Sequence, residues 1–148
     1  QTEWQTRGEL RRKVPECILL SVGLNDTAKV GRSDGRYQLA PEAYRYGLEQ
    51  LLSEIKKSAN VMMIGLTPID EAAMPFANCL WYSNKACSIY EAQIEETCLE
   101  MNIPFLPLLN AMLSEDCWLS WIEPDGIHLN EDGHKWIYKK ATHLKLRL

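Results

Sequence analysis

Three predominantly apolar runs, separated by stretches of helical periodicity, dominate the pattern of the chain. The runs cover residues 17–22, 61–66 and 103–109. Continuous rather than alternating hydrophobicity is typical of parallel strands that are buried on both faces. In the third run, Pro104 and Pro107 cannot donate to a strand ladder, which predicts an edge position for that strand.

The stretches between the runs predict one helix that starts at Pro41 and another over 84–101, each with one apolar face. The apolar positions are Tyr44, Leu48, Leu51, Leu52 and Ile55 in the first helix, and Cys87, Tyr90, Ile94, Cys98 and Met101 in the second. Two more helices are predicted, over 1–14 and after Asn130. The last of these has Ile137, Ala141 and Leu144 facing inward. This alternation predicts an α/β fold with a parallel sheet, right-handed crossovers and helices on both faces.

Two connections in the pattern are long. Residues 28–38 are polar and contain glycine, which predicts a loop. Residues 68–83 form a second connection, and a loop of this length inside a compact domain is often functional. Its aromatic residues, among them Phe76 and Trp81, either line an acyl or aryl pocket or cover the edge of the sheet.

Composition narrows the class of protein. At 148 residues, 46% of them hydrophobic, the sequence predicts a single domain over 1–148 with a substantial core. The formal charge of -4 gives no electrostatic reason to expect a nucleic-acid partner. No apolar run approaches the roughly 20 residues of a transmembrane helix. Five cysteines without a CxxC pair favour a reducing, cytoplasmic compartment. Since the first residue is Gln1 rather than methionine, we expect a processed chain or a fragment.

The chemistry is concentrated at Asp125-Gly126-Ile127-His128. Glycine allows a tight bend, so the carboxylate of Asp125 can fold back onto the imidazole of His128. A carboxylate on one ring nitrogen fixes the tautomer and leaves the other nitrogen free to accept a proton. Asn130 is a good N-cap for the helix that follows. The stretch therefore predicts a general base on a rigid loop.

A second polar stretch, Gly23-Leu24-Asn25-Asp26, follows the first strand at its carboxyl end, where open α/β sheets bind ligands. The amide of Asn25 can donate to a developing oxyanion, and Gly23 lets the backbone approach closely; Asn25 as a plain turn residue is the alternative. Asp26 is expected to anchor the loop. The glycine spacing of a phosphate-binding loop is absent, which makes a nucleotide-binding module a weak alternative.

Metal binding is a further alternative for the acidic and histidine-containing stretch. Asp125, His128 and His134 are residue types that bind zinc, but no additional ligand cluster accompanies them. We therefore expect no metal at this site.

Both polar stretches resemble sequence blocks of the SGNH, or GDSL-type, hydrolases. Residues 21–27 resemble the GxND block and residues 125–130 resemble the DGxHxN block. The resemblance implies a flavodoxin-like three-layer α/β/α fold and hydrolysis of esters of lipids, short acyl groups or acetylated sugars, without a cofactor. It implies that His128 is the base, Asp125 its orienting acid, and Asn25 with Gly23 the oxyanion site. The expected substrate-pocket residues are Thr67, Pro68, Phe76 and Trp81.

The sequence also departs from that family. Its nucleophilic serine lies in a Gly-Asp-Ser block, and none of the eight serines here follows a Gly-Asp pair. We therefore expect the C-terminal portion of a serine esterase or lipase, with the N-terminal strands and the nucleophile missing and the strand at 17–22 left as an exposed apolar edge. By itself the chain is expected to show little or no hydrolysis. The alternative is a non-catalytic remnant that binds an acyl or glycan ligand.

Overall fold

The structure is a computed structural model that describes residues 15–143. The helix predicted over 1–14 and the predicted inward position of Leu144 lie outside these residues. The strands are β1 (Cys17–Leu20), β2 (Lys29–Val30), β3 (Asn60–Ile64), β4 (Leu80–Trp81) and β5 (Phe105–Leu106). The α-helices are α1 (Pro41–Ile55), α2 (Asn84–Glu100), α3 (Leu109–Leu113) and α4 (Glu131–His143). Short 3-10 helices cover Asn25–Thr27, Glu71–Ala73 and Trp118–Trp121.

The main sheet contains β1, β3 and β5 in that spatial order, and all of its pairings are parallel. Leu19 lies opposite Met62, and Met63 lies opposite Phe105. Successive strands of this sheet are neighbours and run in the same direction. Each connection between them therefore contains a helix, α1 or α2, that returns the chain to the end of the sheet where the next strand begins. The parallel α/β fold and the edge position of the third strand are therefore confirmed.

Helices cover both faces of the sheet. On one face, α1 and α2 pack against the strands, and Leu52, Ile55, Met63 and Tyr90 are fully buried there. On the other face, the apolar side of α4 packs against β3 and β5. The residues in this second contact are Met62, Leu106 and Leu108 with Ile64, Trp136, Ile137 and Ala141. The predicted three-layer α/β/α arrangement is confirmed.

The third strand is much shorter than the sequence predicts. The prediction of a strand over 103–109 is wrong, because only Phe105–Leu106 pairs with β3. Pro104 and Pro107 flank this pair and have no N–H group for a ladder. Leu108 and Leu109 are buried at the start of α3 instead, and Ile103 is buried ahead of the strand.

The predicted loops contain a second, two-stranded sheet. Lys29 lies opposite Trp81 and Val30 opposite Leu80 in an antiparallel pairing of β2 with β4. The assignment of 28–38 and 68–83 as plain loops is therefore wrong at these positions. Two-residue strands carry no periodicity, and the pairing joins segments far apart in the sequence. Within residues 15–143, no helix is long and apolar enough to cross a bilayer.

Candidate active site

Asp125 and His128 are in direct contact on the turn that precedes α4. One carboxylate oxygen, Oδ2, lies 2.5 Å from Nδ1 of His128. The other, Oδ1, accepts the backbone N–H groups of Ile127 at 2.9 Å and His128 at 3.0 Å. Gly126 has a φ of +79°, and a Cβ there would lie 2.6 Å from Cβ of Ala73, so the turn requires glycine.

The ionisation of Asp125 determines which nitrogen of His128 carries a proton. Burial favours a higher pKa for this carboxyl, but the hydrogen bonds from the side chain and backbone N–H of His128 and from Ile127 outweigh it. Together they lower the pKa of Asp125 to about 2. The ionised carboxylate only accepts hydrogen bonds, so Nδ1 of neutral His128 carries the proton and Nε2 is unprotonated. The arrangement can therefore accept a proton from a hydroxyl group.

Backbone and cap contacts hold the His128 loop in place. The carbonyl oxygen of His128 accepts the N–H of Glu123 at 2.7 Å. Oδ1 of Asn130 accepts the N–H groups of Asp132 at 3.1 Å and Gly133 at 3.2 Å, which confirms Asn130 as the N-cap of α4. The side chain of His128 is 68% exposed, so its outer face is accessible.

A cleft of about 600 Å³ lies at the carboxyl edge of β1 and β3. Gly23, Asn25 and Asp26 line it from the β1 side, and Thr67 lines it from the β3 side. Burial raises the pKa of the Asp26 carboxyl. The cleft therefore presents polar side chains and backbone groups at the edge where an α/β sheet binds its ligand.

Contacts from Tyr44 of α1 and from Thr27 hold the loop that contains Asn25 in place. Gly23 has a φ of +117°, and a Cβ there would lie 2.9 Å from Cζ of Tyr44. The Tyr44 hydroxyl donates to the carbonyl of Val22 at 3.2 Å. The buried Thr27 hydroxyl donates to the carbonyl of Leu24 at 2.8 Å, which closes the turn. Asn25 is an exposed residue on this supported turn.

The four predicted pocket residues have different surroundings. Thr67 lines the cleft, whereas Pro68 is fully buried and Trp81 lies in β4, so neither of these two lines the cleft. The ring of Phe76 packs edge-on against the ring of His128, with centroids 6.2 Å apart. Phe76 is therefore a neighbour of the Asp–His pair rather than of the cleft.

A short segment connects the cleft to the Asp–His pair. Thr67 lines the cleft, and three residues later the N–H of Asp70 donates to the carbonyl of Gly126 at 3.0 Å. Three residues span at most about 11 Å. The two polar stretches predicted from the sequence therefore belong to one region at the carboxyl edge of the sheet.

Among the cleft residues that sequence reasoning missed are Gln38 and Leu39. They belong to the segment treated as a plain loop or follow directly after it. The N–H of Gln38 donates to the carbonyl of Ala28 at 2.7 Å, and the buried Tyr90 hydroxyl donates to the carbonyl of Leu39. These contacts come from distant segments, so no local sequence signal marks them.

The alternative of a metal site is not supported by the geometry. Among residues 15–143, no three His, Cys, Asp or Glu side chains are grouped so that they could hold a metal ion. Asp125 directs its carboxylate to His128, and His134 lies on α4 beyond the N-cap.

Two plant proteins are similar to this chain in sequence. It is 23% identical over 138 residues to the GDSL esterase/lipase WDL1 of Oryza sativa subsp. japonica, covering 88% of this chain and 53% of the rice protein. It is 21% identical over 131 residues to the GDSL esterase/lipase CPRD49 of Arabidopsis thaliana, covering 83% of this chain and 51% of that protein. The chain thus spans about half the length of these curated relatives.

Solved structures match the fold. The crystal structure of the lipase/acylhydrolase from Enterococcus faecalis superposes with a TM-score of 0.75 at 18% identity, covering 97% of this chain and 69% of that chain. At this identity the likeness concerns the fold. In addition, the profile of the GDSL-like lipase/acylhydrolase family matches residues 1–136. The chain therefore belongs to the GDSL-like lipase/acylhydrolase family, in agreement with its two sequence blocks.

Proposed function

We propose that the protein is a carboxylic-ester hydrolase in which His128 is the general base and Asp125 orients it. The observation that supports this most strongly is the 2.5 Å contact between Asp125 and Nδ1 of His128 on a capped, hydrogen-bonded loop. This contact leaves Nε2 free to accept a proton. The membership of a family of lipases and acylhydrolases supports an ester as substrate.

The proposed reaction is a two-step acyl transfer. A serine oxygen attacks the acyl carbonyl carbon while Nε2 of His128 takes the serine proton, and Asp125 stabilises the imidazolium. The amide of Asn25 donates to the oxyanion, together with the backbone at Gly23; loss of one such donor typically costs about 10² to 10³ in rate. His128 then gives the proton to the departing alcohol oxygen. Water, activated in the same way, releases the acid from the acyl-serine.

We place the nucleophilic serine in a segment that precedes this sequence. None of the eight serines follows a Gly-Asp pair, and the chain covers only about half of its plant relatives. Among residues 15–143, β1 is a terminal strand of the main sheet and its Leu19 side chain is 54% exposed, which leaves room for a preceding strand beside it. We use the term full-length protein for the chain together with this preceding segment. The 148-residue chain alone is proposed to be inactive.

The surroundings of His128 support a small-molecule or lipid ester with an apolar group at one end. Phe76 packs against the imidazole, so an acyl or aryl group seated beside the base would contact the phenyl ring. The other end of the ester would lie toward the polar cleft at Asn25 and Thr67.

A fluorophosphonate probe tests this function directly, because an activated serine oxygen displaces its fluoride and stays bonded to phosphorus. We expect the full-length protein to be labelled on a serine outside the 148 residues, and the His128→Ala variant to be labelled much more slowly. Labelling of neither the full-length protein nor the 148-residue chain would contradict a serine hydrolase and favour ligand binding without turnover.

A further inference from the structure

Helix α2 presents two polar side chains to the segment that follows β3. Asn84 and Glu91 are seven residues apart, so they lie two turns apart on the same side of the helix. Oδ1 of Asn84 accepts the N–H of Ile69 at 2.9 Å, and its Nδ2 donates to the carbonyl of Ile69 at 2.9 Å. One side chain thus holds both backbone groups of a single residue.

Glu91 holds the same segment at its other end. Its side chain is buried, at 7% exposure, and Oε1 accepts the N–H of Leu66 at 3.0 Å. The same oxygen accepts the N–H groups of Leu108 at 3.0 Å and Leu109 at 3.2 Å, at the start of α3. A Cβ at Gly65 would overlap Oε1 of Glu91, so the exit of β3 leaves room for this carboxylate.

The segment held in this way, 66–70, contacts both parts of the candidate site. Leu66 and Thr67 line the cleft. At the other end, the N–H of Asp70 donates to the carbonyl of Gly126 at 3.0 Å. A Cβ at Gly126 would lie 2.9 Å from the carbonyl oxygen of Asp70, so the two backbones are closely packed. A shift of segment 66–70 would therefore move the turn between Asp125 and His128.

We infer that Asn84 and Glu91 are positioning residues that hold segment 66–70 at two points and thereby keep Asp125 and His128 in contact. The inference rests on the proposed function, since it concerns the geometry of the same base. Displacements of about 1 Å at a catalytic group can cost on the order of 10² in rate. A purely structural role would lower stability without disturbing the Asp–His hydrogen bond.

The test compares Asn84→Ala, Glu91→Gln and Glu91→Ala in the full-length protein with Ile94→Ala as control. Ile94 lies on the same helix and is fully buried. Its truncation therefore destabilises α2 by leaving a cavity, while the side chains of Asn84 and Glu91 stay in place. The readouts are kcat and KM for p-nitrophenyl acetate, the thermal midpoint, and the downfield proton NMR signal of His128 Nδ1–H.

We expect Asn84→Ala and Glu91→Ala to lower kcat at least about tenfold with KM nearly unchanged, and to shift or broaden the Nδ1–H signal. Glu91→Gln keeps an acceptor oxygen and should retain most of kcat. Ile94→Ala should lower the thermal midpoint and leave the signal as in wild type. If Asn84→Ala and Glu91→Ala both match Ile94→Ala in signal and kcat, the inference is overturned.

The NMR signal separates this inference from the proposed function. A wild-type protein that shows no ester hydrolysis would contradict the proposed function. The positioning role would still be supported if Asn84→Ala and Glu91→Ala, but not Ile94→Ala, disturbed the His128 Nδ1–H signal. It would be overturned if Asn84→Ala and Glu91→Ala left the signal unchanged.

Discussion

Replacing Asp125 with asparagine separates the chemistry of the Asp–His pair from its structural role. Oδ1 of Asp125 accepts the N–H groups of Ile127 and His128, at 2.9 and 3.0 Å, and an amide oxygen can keep both hydrogen bonds. The amide NH2 must then face Nδ1 of His128. Because an NH2 group only donates, Nδ1 becomes the acceptor and the proton moves to Nε2. Neutral His128 then has no free nitrogen facing the nucleophile.

The wrong tautomer determines the size of the effect on catalysis. The corresponding substitution in a Ser-His-Asp triad lowers kcat by about 10⁴, or about 5 kcal/mol of transition-state stabilisation. The effect on stability is much smaller. The pKa of Asp125 is lowered from its usual 3.8 to about 2, which limits the contribution of the ionised form to about 2 kcal/mol. Since the side chain is 36% exposed, solvent screening reduces this to about 1 kcal/mol.

The lowered pKa of Asp125 also gives the sign of the pH dependence. A carboxyl whose pKa is depressed by folding stabilises the folded protein when it is ionised. Its contribution is complete above a pH of about 4 and is lost as the pH falls through about 2. The difference in unfolding free energy between wild type and Asp125→Asn should therefore be constant down to a pH of about 4 and shrink as the pH falls from about 4 to about 2.

The assay pairs ester hydrolysis at neutral pH with urea unfolding over a series of pH values. Asp132→Asn is the matched control, because Asp132 is an exposed carboxylate on the first turn of α4 and forms an ion pair with Lys135 at 3.6 Å. Its kcat should equal that of wild type. The reasoning is refuted if Asp125→Asn keeps more than about a tenth of kcat, or if its stability deficit does not change between neutral and acid pH.

Other substitutions test separate parts of the site. Gly126→Ala places a methyl group 2.6 Å from Ala73 at a φ of +79°, so urea unfolding should show a loss of about 2 kcal/mol. Asn25→Ala removes an exposed amide and should lower kcat by about 10² to 10³ with an unchanged thermal midpoint; an unchanged kcat would exclude Asn25 as oxyanion donor. Phe76→Ala should raise KM for p-nitrophenyl butyrate more than for the acetate, since it removes the ring beside His128.

The long helices are the part of the fold that the sequence predicts best. The helix predicted to start at Pro41 corresponds to α1, because its five apolar positions form one stripe and all of them are buried. The ends of the strands are less predictable. Apolar residues of the third run are buried in α3 rather than in a strand, and hydrophobicity alone does not separate these two environments.

The Asp–His pair is predictable because both partners lie within one turn, three residues apart, with a glycine between them. The partners of Glu91 are not predictable, since they come from the exits of two strands and the start of α3. The sequence does carry a signal at this position: Glu91 lies between Tyr90 and Ile94 on the apolar face of α2, and a carboxylate on a buried face needs hydrogen-bond partners. The position of Pro68 is not predictable either. It is expected to line the substrate pocket but is buried away from the cleft, because residue type in a loop does not tell which side faces the cleft.

Hydrolysis of p-nitrophenyl acetate and butyrate tests the central claim most directly. The comparison requires the full-length protein, its His128→Ala and His134→Ala variants, and the 148-residue chain alone. His134 is the control, as an exposed histidine on α4 outside the Asp–His pair. We expect hydrolysis by the wild type and His134→Ala, and none above background by His128→Ala or the 148-residue chain. Equal rates for all four would contradict the role of His128 and the serine-hydrolase function.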